Sequence, residues 1–520
     1  MSKVDCPNQG GFADGHRPLP AGRRHRRTLP PLSRLCARTA ALGRRRTPTR
    51  TRDSIVAVLS SKGTITVKTK SLLAVVSAGA LLVTLAGCSP EVSAGGSTDS
   101  AGGDAGSCSN TIVNKDAPQV SVWAWYPNIN TVVDMFNKSH DDVQVCWSNA
   151  GQGADEYAKF STAIAAGTGA PDVVMLEAEV VPGFILQDAL VDLSEHGADD
   201  VKANFSAGAW KDVSSGDSVY AIPVDGGPMA MIYRADIFAK YGIAVPTTWD
   251  EYAAAAQQLK DAGGPFMGDF GSNVPAWFTA LMTQNGQKAW DYESADPQNI
   301  GVELNDSGSK KVADYWADLV KKGIVDTQDQ FNTDYIGGLA NGSYATYVSA
   351  AWAPGYLTGA GASTEGDGAD WKAAPLPQWD PANPVSVNWG GSTFAVTTQA
   401  KDKDLAATVA KELYASDEEL QDGVDTQTIF PLNQKMLASD AFADTPVKFF
   451  NGQTANKDVY IPAENAYKGY TYSPFTTYYY SELTKAMVSI IDGSKSGSDA
   501  LDDLQGTMTD YAKAQGFTVK

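Results

Sequence analysis

Four short stretches set aromatic rings, amides and carboxylates within a few residues of one another. Trp123-Ala124-Trp125-Tyr126-Pro127-Asn128 ends one apolar run. Trp147-Ser148-Asn149, followed by Gly151-Gln152-Gly153, ends a second, and Glu177-Ala178-Glu179 ends a third. Asp225-Gly226-Gly227-Pro228 interrupts a fourth. A flat aromatic face covers the apolar CH patch of a pyranose ring, and carboxylates and amides take its hydroxyls in charge-assisted bonds. No Lys or Arg stands at these tips, as a phosphate or carboxylate ligand would require. The residue types favour a neutral, polyhydroxylated ligand, with an amine second. Each residue also has a plainer use. Trp123 and Trp125 alternate along one strand, so Trp123 reads as core. Trp147 reads as packing, whereas for Glu177 a helix cap and for Asp225 a turn former are the lesser alternatives to facing a ligand. Glu177 and Asp225 could alternatively act as an acid/base pair on a glycosidic bond, which would require them ~5–10 Å apart.

Other constellations that carry chemistry are missing. After residue 87 there are two histidines, His140 and His196, both in polar context and expected to face solvent. No HExxH, CxxC, P-loop or GxSxG pattern occurs,. A metal or nucleophilic enzyme would usually show one, so no metal and no cofactor are expected; paired carboxylates stay open, because acidic residues are plentiful.

The elements that must position these tips follow from periodicity. VSVWAW, VQVCW and PDVVMLE read as strands. TVVDMFNKS, with Val132, Val133, Met135 and Phe136 at helical spacing, and ADEYAKFSTAIAAG, stopped at Gly167, read as the helices between them,. Strands alternating with helices predict a parallel α/β sheet, whose ligand crevice lies outside the carboxyl ends of the strands. Thr248-Trp249-Asp250-Glu251 is a capping box opening EYAAAAQQLKDAGG,. GSKKVADYWADLVKKG puts Val312, Tyr315, Trp316 and Leu319 on one stripe,. KDLAATVAKELYAS and two helices near the C-terminus complete the pattern. Some 400 residues exceed one core and predict two lobes,.

The N-terminal part reads differently. Residues 71–86 are uncharged, follow Lys62, Lys68 and Lys70, and end in Leu85-Ala86-Gly87-Cys88. At 16 residues the run is short of the ~20 apolar residues needed to span a membrane and has the order of a secretory signal,. The ending is that of a bacterial lipobox, with Cys88 as the lipidated residue. Residues 1–61, rich in Arg and Pro, read as a disordered upstream extension, with translation starting instead near residues 62–67. Residues 88–117 read as the lipidated Cys and a Gly/Ser/Asp-rich tether. From Cys88 onward 25 basic residues face 57 acidic ones, a net charge of −32, which argues against nucleic acid or anionic lipid as partner,. Cys108 and Cys146 remain; they flank the first two strands, and in an exported chain they form a candidate disulfide.

PDVVMLEAEVVPGF, AIPVDGGPMAMIYRADIFAKYGIAVPTTWDEY, DWKAAPLPQWD and NWGGSTFAVT, in this order, resemble the extracellular sugar-binding proteins of ABC importers (family 1 solute-binding proteins, the maltose-binding type). The resemblance runs from about Val120 to the C-terminus. It implies two α/β lobes of the type II periplasmic-binding-protein-like fold, with parallel-rich sheets flanked by helices, joined by several crossing segments around an interlobe cleft. The lobes would comprise 118–226 with 392–432, and 227–391 with 433–520. Crossings are expected near 225–228, near 389–392 and after Phe430-Pro431. Ligand-facing positions carry over onto Trp125, Tyr126, Gln152, Glu177, Glu179, Asp225, Gly226, Trp277, Trp352, Trp389, Gly390, Gly391 and Tyr478. Where some members place a sugar-stacking aromatic after Val174-Met175, this chain has Leu176. The implied protein is a monomer held at the outer face of the cytoplasmic membrane of a Gram-positive cell by lipid on Cys88. It would deliver a mono- or oligosaccharide to ABC permease subunits. The alternatives are a surface carbohydrate hydrolase, or the same fold binding a peptide, polyamine or phosphonate.

Overall fold

The computed structural model describes residues 108–293, 296–361 and 369–520, all within one compact unit spanning Gly96–Lys520. The signal sequence, the Cys88 lipid site and most of the tether lie outside the described residues.

The first third of the described chain alternates strand and helix. β1 (Gln119–Trp123), α1 (Ile129–Ser139), β2 (Gln144–Ser148), α2 (Ala154–Ala166) and β3 (Val173–Glu177) follow one another at the expected places. Helix α1 buries Val132, Val133 and Phe136, and Gly167 caps α2 in the left-handed conformation at φ 71°,. After the short helix α3 (Ala207–Asp212) come β4 (Ile222–Pro223) and β5 (Met229–Arg234), the two halves of the run interrupted at Asp225. Helices α4 (Trp249–Asp261), α5 (Pro275–Gln284) and α6 (Ser307–Lys322) precede β6 (Thr346–Ala350), α7 (Ala353–Gly359) and β7 (Trp371–Pro375). β8 (Ser392–Val396), α8 (Lys403–Glu412) and α9 (Asp417–Gln427) come next. The chain closes with α10 (Thr476–Ile491) and α11 (Gly497–Ala514).

These strands form two main sheets. The first has the order β2-β1-β3-β8-β4. β1 runs parallel to β2 and β3, as alternating strands and helices require, while β8 arrives antiparallel to β3. The second sheet, β6-β5-β7, is antiparallel throughout. That departs from the parallel-rich expectation. β6 and β7 come back from the far end of long excursions, and each pairs with β5 in the reverse sense.

Apolar side chains fill both faces. Val122, Val132, Phe136, Phe160, Met175 and Phe394 pack around the first sheet. In the second lobe Trp316 lies at the centre of an aromatic core, with ring centroids 5.8 Å from Trp249, 5.7 Å from Phe270 and 5.0 Å from Trp277. Of the predicted α6 stripe, Val312, Trp316 and Leu319 are buried. Tyr315 keeps an exposed edge and donates its hydroxyl to the Trp249 carbonyl at 2.6 Å. The Thr248–Glu251 capping box forms as read.

Three segments cross between the sheets side by side. Gly226 N–H donates to the Phe430 carbonyl at 2.9 Å, Trp389 N–H to the Gly227 carbonyl at 2.8 Å, and Val224 N–H to the Ser392 carbonyl at 3.0 Å. The crossings approach so closely that a Cβ on Gly227 would stand 1.9 Å from the Trp389 carbonyl oxygen. Only glycine fits there, which is the physical use of the Gly-Gly pair. A disulfide joins Cys108 to Cys146 on β2, and Ser109 N–H extends the staple by donating to the Trp147 carbonyl at 2.7 Å.

Candidate functional site

Where the parallel strands end, five carboxylates gather with hydroxyl or amide donors and no lysine or arginine partner. Tyr157, in the first half of α2, donates to Glu177 at 2.9 Å. Tyr480, on α10 of the second lobe, donates to Glu179 at 2.9 Å. Tyr126 donates to Asp225 at 2.5 Å, and the same carboxylate oxygen accepts the Ser392 amide at 2.8 Å. Asp212, the last residue of α3, accepts from the Tyr467 hydroxyl at 2.9 Å and the Tyr470 amide at 2.8 Å. Glu464 accepts from Ser206 at 2.9 Å and Asn388 at 3.3 Å.

Burial in a low-dielectric cleft disfavours the charged form and raises each of these carboxyls, while the hydroxyl and amide donors pull the other way. Burial, with the neighbouring Glu177 charge adding to it, pushes Glu179 up to about 8. Burial likewise takes Asp212 and Glu464 to about 7 and Asp225 to about 6, and raises Glu177. The arrangement therefore offers hydrogen-bond acceptors and donors at close quarters, with no cation hydrogen-bonded to the carboxylates and Lys211 as the one positive charge that acts on Asp212.

The hollow between the lobes is continuous in its lining. A narrow hollow of about 20 Å³ is bounded by Glu179, Thr279, Asn388, Trp389, Tyr470 and Tyr480. It shares Asn388 and Gly390 with a second hollow at Asp212, Asp225 and Gly391, and Tyr470 and Tyr472 with a wider one of about 210 Å³ that opens past Lys211, Asp291 and Glu293. Asn388 Oδ1 is buried there without a hydrogen-bond partner. Unpaired buried polar atoms are costly, so a polar ligand would gain by reaching it.

Of the residues read from the sequence, Tyr126, Glu177, Glu179, Asp225, Trp389, Gly390 and Gly391 come together around these hollows. Trp125 is half-buried, edge-on to Tyr157 with ring centroids 5.8 Å apart. Gln152 is exposed beyond β2. Gly226 lines the second hollow beside Asp225 and is closely packed, since a Cβ would meet Leu432 Cδ2 at 2.6 Å. Trp352 donates its indole N–H to the Trp389 carbonyl at 2.9 Å, with the two ring centroids 5.0 Å apart.

Three expectations are corrected. Trp277 is 1% exposed, gives its indole N–H to the Val348 carbonyl at 2.9 Å and packs on Trp316, so it is core rather than ligand-facing. Tyr478 stacks on Tyr511 of α11 at 3.8 Å. Two residues along a helix turn the side chain to the opposite face, and it is Tyr480 that reaches the cleft. His140 and His196 are half-buried rather than free in solvent. His140 lies 3.3 Å from a Glu412 oxygen, and His196 lies 2.6 Å from an Asp404 oxygen.

Sequence reasoning missed Asp212, Asn388, Glu464, Tyr467, Tyr470 and Tyr472. The tyrosine-dense stretch from Tyr467 to Tyr480 was the available signal for four partners. Asp212 and Glu464 are isolated acids in the sequence and carried none.

Two sheets, three crossing segments and an uncharged-donor cleft between the lobes define a two-lobed α/β binding protein. The chain matches the model of the bacterial extracellular solute-binding proteins over residues 131–450 and belongs to that family. It is 23% identical over 426 residues to a lactose-binding protein of Rhizobium radiobacter, covering 77% of this chain and 93% of the relative. Among solved structures it is similar to the ABC transporter associated binding protein of B. animalis subsp. lactis in complex with β-1,6-galactobiose. That match has 25% identity and a TM-score of 0.67, and covers 78% of this chain and all of the other. The galacto-N-biose-/lacto-N-biose I-binding protein of Bifidobacterium longum shares the fold at 24% identity and TM-score 0.68, over 78% of this chain and 99% of the other.

Proposed function

We propose that this protein captures a mono- or oligosaccharide between its lobes and hands it to the permease subunits of an ABC importer, performing no chemistry itself. The observation that carries this reading is the cleft's polar inventory. Five carboxylates accept from tyrosine, serine, asparagine and backbone donors, with an unpartnered Asn388 oxygen beside them and no cation among the donors. Sugar hydroxyls donate and accept at once and can join such a network without bringing charge. The ligands named for the lactose-binding relative and the galactobiose complex support the same class. In this reading the lobes comprise 118–226 with 392–432, and 227–391 with 433–520. The protein works as a monomer at the outer face of the cytoplasmic membrane of a Gram-positive cell, held by lipid on Cys88. A hydrolase using Glu177 and Asp225 is less well supported. Tyr157 holds the first, and Tyr126 with the Ser392 amide holds the second.

A thermal-shift screen against a panel of mono- and oligosaccharides tests the reading. A tight ligand raises the melting temperature by mass action. A shift with amines or peptides and none with any sugar refutes it, and release of reducing sugar from a bound oligosaccharide would restore the hydrolase.

A further inference from the structure

Three of the five carboxyls tie together stretches of chain that the reading above assigns to different lobes. Glu179, just past β3, accepts from Tyr480 of α10 at 2.9 Å. Asp212 accepts from the Tyr467 hydroxyl at 2.9 Å and the Tyr470 amide at 2.8 Å. Glu464 runs the other way, accepting from Ser206 at 2.9 Å and from Asn388 of a crossing segment at 3.3 Å. Glu177 and Asp225 differ, because their donors Tyr157, Tyr126 and Ser392 all belong to the first lobe.

At Asp212 the two backbones meet without a gap. A Cβ on Gly208 would stand 2.7 Å from the Tyr467 carbonyl oxygen, and one on Gly469 would stand 2.9 Å from the Gly208 carbonyl oxygen. Glu464 is fully buried. An ionised carboxylate offers about four acceptor sites, yet each of these three receives one or two donors and none from a cation. The charges that face them mostly repel. Glu177 acts against a charge on Glu179, with the Tyr157 and Tyr472 hydroxyls beside it. Glu464 acts against Asp212, which also faces Tyr472, and Lys211 alone attracts. The neutral acid is the form that this contact suits.

We propose that Glu179, Asp212 and Glu464 form a proton-operated latch, which holds the lobes as they stand here while neutral and frees them to move once ionised. The inference rests on the two-lobe reading and not on the sugar. Parting the lobes returns each group to water, where its acidity is ordinary. The proton is therefore held more tightly with the lobes in contact, so low pH favours the contact and rising pH weakens it. Burial sets Glu179 at about 8 and Asp212 and Glu464 at about 7, which places the loss near neutrality. By reciprocity, a ligand that changes the lobe arrangement takes up or releases protons.

Single-molecule energy transfer on the unliganded protein tests it, with donor and acceptor dyes on azide-bearing side chains placed at Ala165 of α2 and Lys513 of α11, both exposed. The transfer efficiency should stay constant below about pH 6 and change as pH rises through about 7–8. In the triple variant Glu179→Gln, Asp212→Asn, Glu464→Gln it should keep its low-pH value up to about pH 9. That variant separates these carboxyls from every other group that titrates in the range. Each single substitution should shrink the change, which keeps the test open if the triple variant does not fold. An efficiency that does not move with pH in the wild type, or that moves equally in the variants, overturns the inference, whatever the melting temperature does. No ligand is present, so neither result touches the sugar reading, and a failed sugar screen leaves the latch standing.

Discussion

Gly355 gives the sharpest test of how the lobes meet. It lies inside α7, and a Cβ added there would stand 2.1 Å from Thr428 Cγ2 and 2.4 Å from Thr428 Cβ. Carbon atoms pack at about 3.5–4.0 Å. Rotating Thr428 moves Cγ2 but not Cβ, so α7 and the end of α9 must part by roughly 1.1–1.6 Å in a Gly355→Ala variant. Overpacking of this kind costs about 1–3 kcal/mol. If the two helices come together only as the lobes close, the cost is a penalty on closure. Ligand affinity should therefore weaken by roughly 5- to 150-fold. Helix propensity acts in the opposite direction, since alanine for glycine inside a helix gains about 1 kcal/mol. The unliganded protein should thus melt no lower than wild type while binding more weakly. Thr428→Gly, which removes both clashing atoms and relieves a φ of 61°, should restore affinity in the double variant. Calorimetric titration of the four proteins completes the cycle. Affinity within twofold of wild type in Gly355→Ala, or a double variant no better than the single one, would refute the closing-contact argument.

Two further outcomes follow from the same geometry. Glu179 goes from its ordinary 4.5 to about 8 in the folded protein, and Asp212 from 3.8 to about 7. A raised carboxyl means the native state holds the proton more tightly. Its contribution to stability is therefore full below about pH 4 and lost as pH rises toward 7–8. The melting temperature should fall across that window, and Glu179→Gln with Asp212→Asn should flatten the slope; an unchanged slope refutes the assignment. Opening the Cys108–Cys146 bond, which spans a sequence separation of 38, by Cys146→Ser should cost about 3–4 kcal/mol on loop entropy. Denaturant unfolding of the variant against wild type measures this, and a loss below 1 kcal/mol would show the loop already ordered in the unfolded chain.

Particular residues show what a reader of the sequence could and could not see. The β1–α1–β2–α2–β3 alternation, the Thr248–Glu251 box and the Val312–Trp316–Leu319 stripe depend on neighbours a few positions away, and local spacing exposes them. The sense of β6 and β7 against β5 is set by long-range pairing, which periodicity does not record. Trp277 came from the resemblance alone; on α5 it is Ala276, Thr279, Ala280 and Thr283 that face the hollow, and Trp277 points into the core. Tyr478, Tyr479 and Tyr480 are adjacent in sequence yet point about 100° apart around a helix, so the motif located the site and the register chose the residue. Asp212 and Tyr467 are 255 positions apart, and nothing local ties the one to the other.

The Cys108–Cys146 bond also bears on force. It closes β1, α1 and most of β2 into a covalent ring, so tension arriving from upstream of Cys108 enters through sulfur into the β2 edge strand and bypasses what the ring contains. Trp125 and Tyr126 lie inside that ring, on the loop that faces the cleft. A pull on the N-terminal side can thus tug the body of the protein without stretching the segment that shapes its ligand cleft.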